Sequence, residues 1–116
     1  MITIYHNPRC TKSREGLSEI EQLGKPFTIR KYIDEPFTRE ELISVIDKLG
    51  IAPLALVRTK EKIWIDNYKT KNLSQDAIIE AMLLHPKLIE RPIVVNGNKA
   101  VIARPKEMIN KIVENI

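Results

Sequence analysis

Cys10 is the only cysteine in this 116-residue chain. A lone cysteine is in most proteins a small buried hydrophobe with a weak donor, but the residues around this one argue for chemistry. It follows Ile2-Thr3-Ile4-Tyr5, which reads as a strand, and the turn formers His6-Asn7-Pro8. It also stands just ahead of a helical pattern. Free backbone amides and the positive end of a helix dipole would then point at its sulfur, and both favour thiolate over thiol. Arg9, Lys12 and Arg14 add positive charge, while Thr11 and Ser13 offer hydroxyls that can hydrogen-bond a thiolate or an oxyanion. The features that activate the sulfur therefore also make an oxyanion pocket, with the anion at the helix N-terminus and the thiolate beneath it.

In Cys10-Thr11-Lys12-Ser13 the place of a second, resolving thiol is taken by serine, and no other thiol exists in the chain. Any redox cycle must be completed from outside by thiol exchange. That implies glutathione, or a dithiol protein such as glutaredoxin, as co-substrate rather than a bound cofactor. With His6 and His85 as the only histidines, one cysteine makes neither a zinc site nor a disulfide framework.

The elements that must position Cys10 are readable. The helix after it carries Leu17, Ile20 and Leu23 at helical spacing and stops at Gly24 and Pro26. Phe27 to Tyr32 resumes alternation as a second strand, which a crossover helix places parallel to the first. Thr38-Arg39-Glu40-Glu41 matches a capping box, and its helix should run to Leu49 and stop at Gly50. Ile51 to Tyr68 shows no regular period. Ser74 begins another helix that ends before Pro86. Pro92 to Val95, the turn Asn96-Gly97-Asn98, and Ala100 to Ala103 form a hairpin signal, and Pro105 opens a last amphipathic helix.

This order predicts an α/β chain with thioredoxin-like topology: a four-stranded mixed sheet, and a helical insertion at about residues 38–86 between βαβ and ββα halves. The length suits one domain over residues 1–116. Apolar residues at 43% and charged residues at 29% suit a globular protein. No apolar run is long enough for a membrane span or a signal peptide, and a single unpaired cysteine suits a reducing cytoplasm. The net charge of +4 is spread from Lys12 to Lys111 among acidic residues, which speaks against a nucleic-acid surface and leaves small anions as ligands.

The segment Tyr5-His6-Asn7-Pro8-Arg9-Cys10-Thr11-Lys12-Ser13-Arg14 resembles the active-site motif of the glutaredoxin-coupled arsenate reductase family. The resemblance continues through Arg58 after Leu54-Ala55-Leu56-Val57, His85-Pro86, Arg91-Pro92-Ile93-Val94-Val95 and Arg104-Pro105. It implies that Cys10 attacks arsenate or a similar oxyanion, that glutathione and glutaredoxin complete the cycle, and that Arg58, Arg91 and Arg104 hold the oxyanion. It further implies that His6 helps keep the thiolate charged, and that the Arg91–Pro92 peptide is cis and faces the cysteine. Transcription regulators of the Spx type share the fold and the Arg-Pro segment and would instead bind RNA polymerase. They typically carry the second thiol that Ser13 replaces, so the residues favour the enzyme.

Overall fold

The computed structural model describes residues 1–113. The chain forms two compact units, one of Met1–Glu35 together with the chain from Arg91, the other of Pro36–Glu90. The bounds of the second unit lie two to four residues outside those read for the insertion.

In the first unit, β1 (Ile2–Tyr5) leads through a loop to α1 (Thr11–Gln22) and β2 (Phe27–Arg30). β3 (Ile93–Asn96) and β4 (Lys99–Ile102) follow after the insertion. The sheet order is β2-β1-β3-β4, with β1 and β2 parallel and the other pairs antiparallel. This is the thioredoxin-like sheet expected from the strand and helix order. Alternation decides which residues enter the core. Ile2 and Ile4 from β1 and Val94 from β3 meet Ile20 of α1 and Ile109, Ile112 and Val113 from the C-terminal segment, all buried.

The hairpin is tighter than the sequence suggests. Asn96 belongs to β3 and pairs with Lys99, so only Gly97 and Asn98 form the loop. Gly97 alone takes a positive φ of 62° there, the pattern of a type II′ turn whose twist suits a hairpin. β2 ends at Arg30 rather than Tyr32, although the His6 amide still bonds the Arg30 carbonyl at 2.8 Å. After Pro105 the chain makes a 3-10 turn, Lys106–Ile109, before α5 (Asn110–Val113), so the final helix starts later than its periodicity implies. The peptides Arg91–Pro92 and Arg104–Pro105 are both cis. The first was expected from the resemblance.

The second unit contains α2 (Arg39–Leu49), α3 (Lys62–Asn67) and α4 (Gln75–Leu84). Both halves of the Thr38 capping box are present, and Gly50 closes α2 in the left-handed conformation at φ 68°. Ser74 caps α4 by accepting the Ala77 amide at 3.1 Å. The stretch Ile51 to Tyr68, read as irregular, holds a 3-10 turn at Pro53–Leu56 and the helix α3. α3 has six residues, too few for a period to emerge from pattern alone, and it is held by burial of Trp64, which stacks on Tyr68 with centroids 5.3 Å apart. A bridge between Val57 and Ile89, flanked by Arg58 N–H to Leu88 and Glu90 N–H to Leu56, ties two distant stretches of this unit. Among the described residues no helix is long and apolar enough to cross a membrane.

Candidate active site

The loop that carries Cys10 is built by local hydrogen bonds. Asn7 accepts the Cys10 amide on its carbonyl at 3.0 Å and the Arg9 amide on its side-chain oxygen at 3.0 Å. Pro8 takes the second place of that turn, where its fixed φ fits. Arg14 then reaches back from α1, donating to the Pro8 carbonyl at 2.8 Å and to the Thr11 hydroxyl at 3.1 Å. Arg14 and Thr11, both expected to touch substrate, thus brace the loop with their side chains.

Cys10 is the N-cap of α1 and is partly exposed. No side chain caps this helix and no acidic residue stands in its first turn. Burial would push the thiol's pKa up, but the backbone amides of Ser13 and Lys12 and the guanidinium of Arg91 outweigh it, and the net shift is downward. The thiolate is therefore held by the helix N-terminus from one direction and by Arg91 from another. Lys12 contributes its amide here; its exposed ammonium faces Glu15 at 3.6 Å.

Arg91 is the most telling side chain. Its guanidinium reaches the Cys10 sulfur, yet Nε and Nη1 are buried with no hydrogen-bond acceptor among the described residues. Buried guanidinium donors left without an acceptor are costly, and an oxyanion bound beside Cys10 would supply oxygens in a suitable fork. Pro92, which follows, is buried against α1. A Cβ at Gly16 would come within 2.6 Å of the Pro92 Cγ, so the helix approaches this segment closely only because residue 16 is glycine. The sequence gives no sign of this role for Gly16, since a glycine inside a helical pattern signals no particular neighbour.

His6 and Ser13 are bonded to each other. His6 is 4% exposed and Ser13 fully buried, and they meet through Nδ1 and Oγ at 2.6 Å. Burial pushes the His6 pKa down, and the charges of Lys31 and Arg14 push it the same way against a backbone hydrogen bond at Ser13, so the neutral ring is favoured. Its hydrogen bond runs to Ser13, and the sulfur's lowered pKa has the Ser13 and Lys12 amides and Arg91 as its causes. The Ser13 hydroxyl, expected to touch thiolate or oxyanion, is engaged by His6 and by the Asn7 amide at 2.9 Å.

The three arginines divide. Arg91 and Arg104 belong to the first unit with Cys10; Arg104 is exposed, and its amide bonds the Ile102 carbonyl at 2.8 Å. Arg58 belongs to the second unit, where it faces Glu61 at 3.3 Å and Glu90 at 3.6 Å. Among the described residues no cluster of His, Cys, Asp and Glu could hold a metal ion.

The chain is 42% identical to an arsenate reductase of Haemophilus influenzae over 113 residues, covering 96% of this chain and 97% of that protein. It is 40% identical to an arsenate reductase of Neisseria meningitidis over 116 residues, again 96% and 97% of the two chains. The solved arsenate reductase from Vibrio cholerae superposes with a TM-score of 0.91 at 41% identity, covering 97% of each chain. The ArsC family model matches residues 5–112, from the strand that leads into the Cys10 loop to the C-terminal helix, and the chain belongs to the ArsC family.

Proposed function

We propose that this protein is an arsenate reductase that uses Cys10 as its nucleophile and takes its remaining electrons from outside thiols. The observation that carries the reading is Arg91: a guanidinium whose Nε and Nη1 are buried without acceptors, next to a thiol whose pKa is lowered. RNA polymerase binding, the alternative raised by the sequence, gives those donors nothing to do.

In the proposed cycle an arsenate oxygen bonds the Arg91 donors and the amides at the start of α1, and the Cys10 thiolate attacks arsenic. One oxygen leaves as water, taking up the protons, and a sulfur–arsenic bond remains. The sulfur of glutathione then attacks the Cys10 sulfur. The electron pair of the sulfur–arsenic bond stays on arsenic, which departs as arsenite, and Cys10 is left in a mixed disulfide with glutathione. Two thiols have supplied the two electrons. Because the chain has no second cysteine, a further thiol must free Cys10, and we assign that step to glutaredoxin with glutathione. Arg58 and Arg104 are assigned to the oxyanion on the strength of the family resemblance, and Pro92 to the wall of the thiol site. Glutathione dependence fits a reducing cytoplasm, where we place the protein.

The test is a coupled assay with purified protein, arsenate, glutathione and glutaredoxin. Turnover should require every component, and Cys10→Ser should abolish it while leaving the circular dichroism spectrum unchanged. Wild-type protein that turns over no arsenate under these conditions sinks the assignment.

A further inference from the structure

A hydroxyl in the first turn of a helix commonly faces water or bonds its own backbone. That of Ser13 does neither. It is fully buried, it accepts the Asn7 N–H at 2.9 Å, and it lies 2.6 Å from Nδ1 of His6. The Asn7 amide can only donate, so the hydroxyl keeps its proton and one lone pair for Nδ1. Donation of that proton to Nδ1 goes with the neutral His6 tautomer that carries its own proton on Nε2.

These bonds close a ring of chain. Asn7 is tied to Ser13 through the hydroxyl and to Cys10 through the Cys10 N–H at 3.0 Å. Cys10 sits inside the segment whose two ends the hydroxyl joins. Ser13 is also one of the two residues whose backbone amides reach the sulfur.

We propose that the Ser13 hydroxyl is a positioning group for the nucleophile: clasped between His6 and the Asn7 amide, it closes residues 7–13 and aims the Ser13 and Lys12 amides at the Cys10 sulfur without touching the oxyanion. His6 acts through it as a hydrogen-bond acceptor, not as a cation. The inference rests on Cys10 being the nucleophile and adds how its environment is held.

The experiment is the pH profile of Cys10 alkylation, read beside kcat and KM for arsenate, in Ser13→Ala, His6→Ala and His6→Asn. In Ser13→Ala the alkylation midpoint should rise towards that of an ordinary thiol. Each unit of rise lowers the thiolate fraction at neutral pH by up to about tenfold, so kcat should fall with that fraction, recover as the pH is raised, and leave KM within about twofold. His6→Ala should shift the profile likewise. His6→Asn keeps an acceptor near the Nδ1 position and should lie closer to wild type. An unchanged midpoint with a raised KM in Ser13→Ala would make the hydroxyl a direct ligand and overturn the proposal. So would equal shifts in His6→Asn and His6→Ala, a comparison that stands even if Ser13→Ala does not fold. Alkylation needs no arsenate, so wild type inactive on arsenate would refute the proposed substrate without touching this result, and an unmoved midpoint in active enzyme would refute only the clasp.

Discussion

Two helix starts in this chain solve the same problem in opposite ways. At α2 the Thr38 hydroxyl accepts the Glu41 amide at 3.1 Å, the Glu41 carboxylate accepts the Thr38 amide at 2.9 Å, and Glu40 and Glu41 place negative charge against the positive end of the dipole. At α1 the N-cap is Cys10, no side chain caps, and no acid stands in the first turn. Its amides are spent on a sulfur instead. The first start is finished by its own side chains and can do nothing further. The second is left incomplete, and the positive potential that a cap would neutralise is what lowers the thiol's pKa and leaves room for an anion. Where a helix start lacks its cap and keeps a nucleophile in the cap position, stability has been given up for reactivity.

The largest effect should come from converting the second kind of start into the first. In Cys10→Asp the side chain is among the favoured caps, and its carboxylate would lie beside Arg91. Arsenate turnover should vanish. Relative to Cys10→Ala, the protein should gain about 1 kcal/mol in urea unfolding. Equal stability of the two variants would mean that the amides of α1 are not available to a ligand, and the contrast with α2 would collapse.

How much of this contrast the sequence discloses follows from the range of the interactions. The α2 start is legible because every participant lies within four residues, as are the Gly50 stop and the Gly97 turn, where one residue type answers one local backbone need. Cys10 as an uncapped helix start is legible for the same reason. The state of Arg91 is not, since the burial that leaves Nε and Nη1 without acceptors is a property of the packed fold and not of the residues beside it in sequence. Nor is the Ser13 hydroxyl: its type suits a thiolate, an oxyanion or a neighbouring ring equally well, and only the fold brings His6 to 2.6 Å. Gly16 is likewise silent until Pro92 is placed against it. Short α3 is missed because its formation depends on burying Trp64 rather than on any repeating pattern.

A smaller effect on turnover, though still large, is expected at Arg91. Arg91→Met keeps an apolar stem of similar length and removes the donors. Loss of a preorganised group on the oxyanion should lower kcat/KM for arsenate about 10²- to 10³-fold. The Cys10 alkylation midpoint should rise as well, because the guanidinium is one of the groups holding it down. Stability should not fall and should rise by on the order of 1 kcal/mol, since the variant no longer buries orphaned donors. A marked loss of stability in thermal unfolding would show that Arg91 is satisfied within the fold, and the anion site would lose its principal support.

The finished start supplies the smallest effect on the thiol chemistry, and the control. Thr38→Ala removes the hydroxyl that accepts the Glu41 amide and should cost about 0.5–2 kcal/mol in urea unfolding. The alkylation profile of Cys10 should stay where it is, because no bond of the capping box involves the loop from Asn7 to Ser13. Cys10→Asp and Thr38→Ala thus move stability in opposite directions at two helix starts, and only the first should affect the thiol chemistry. If Thr38→Ala shifted the Cys10 midpoint as Ser13→Ala is expected to, the thiol's reactivity would depend on general stability rather than on the amides and charges that touch it. A profile unchanged beside a clear drop in unfolding free energy would separate the two and localise the activation to the first turn of α1 and Arg91.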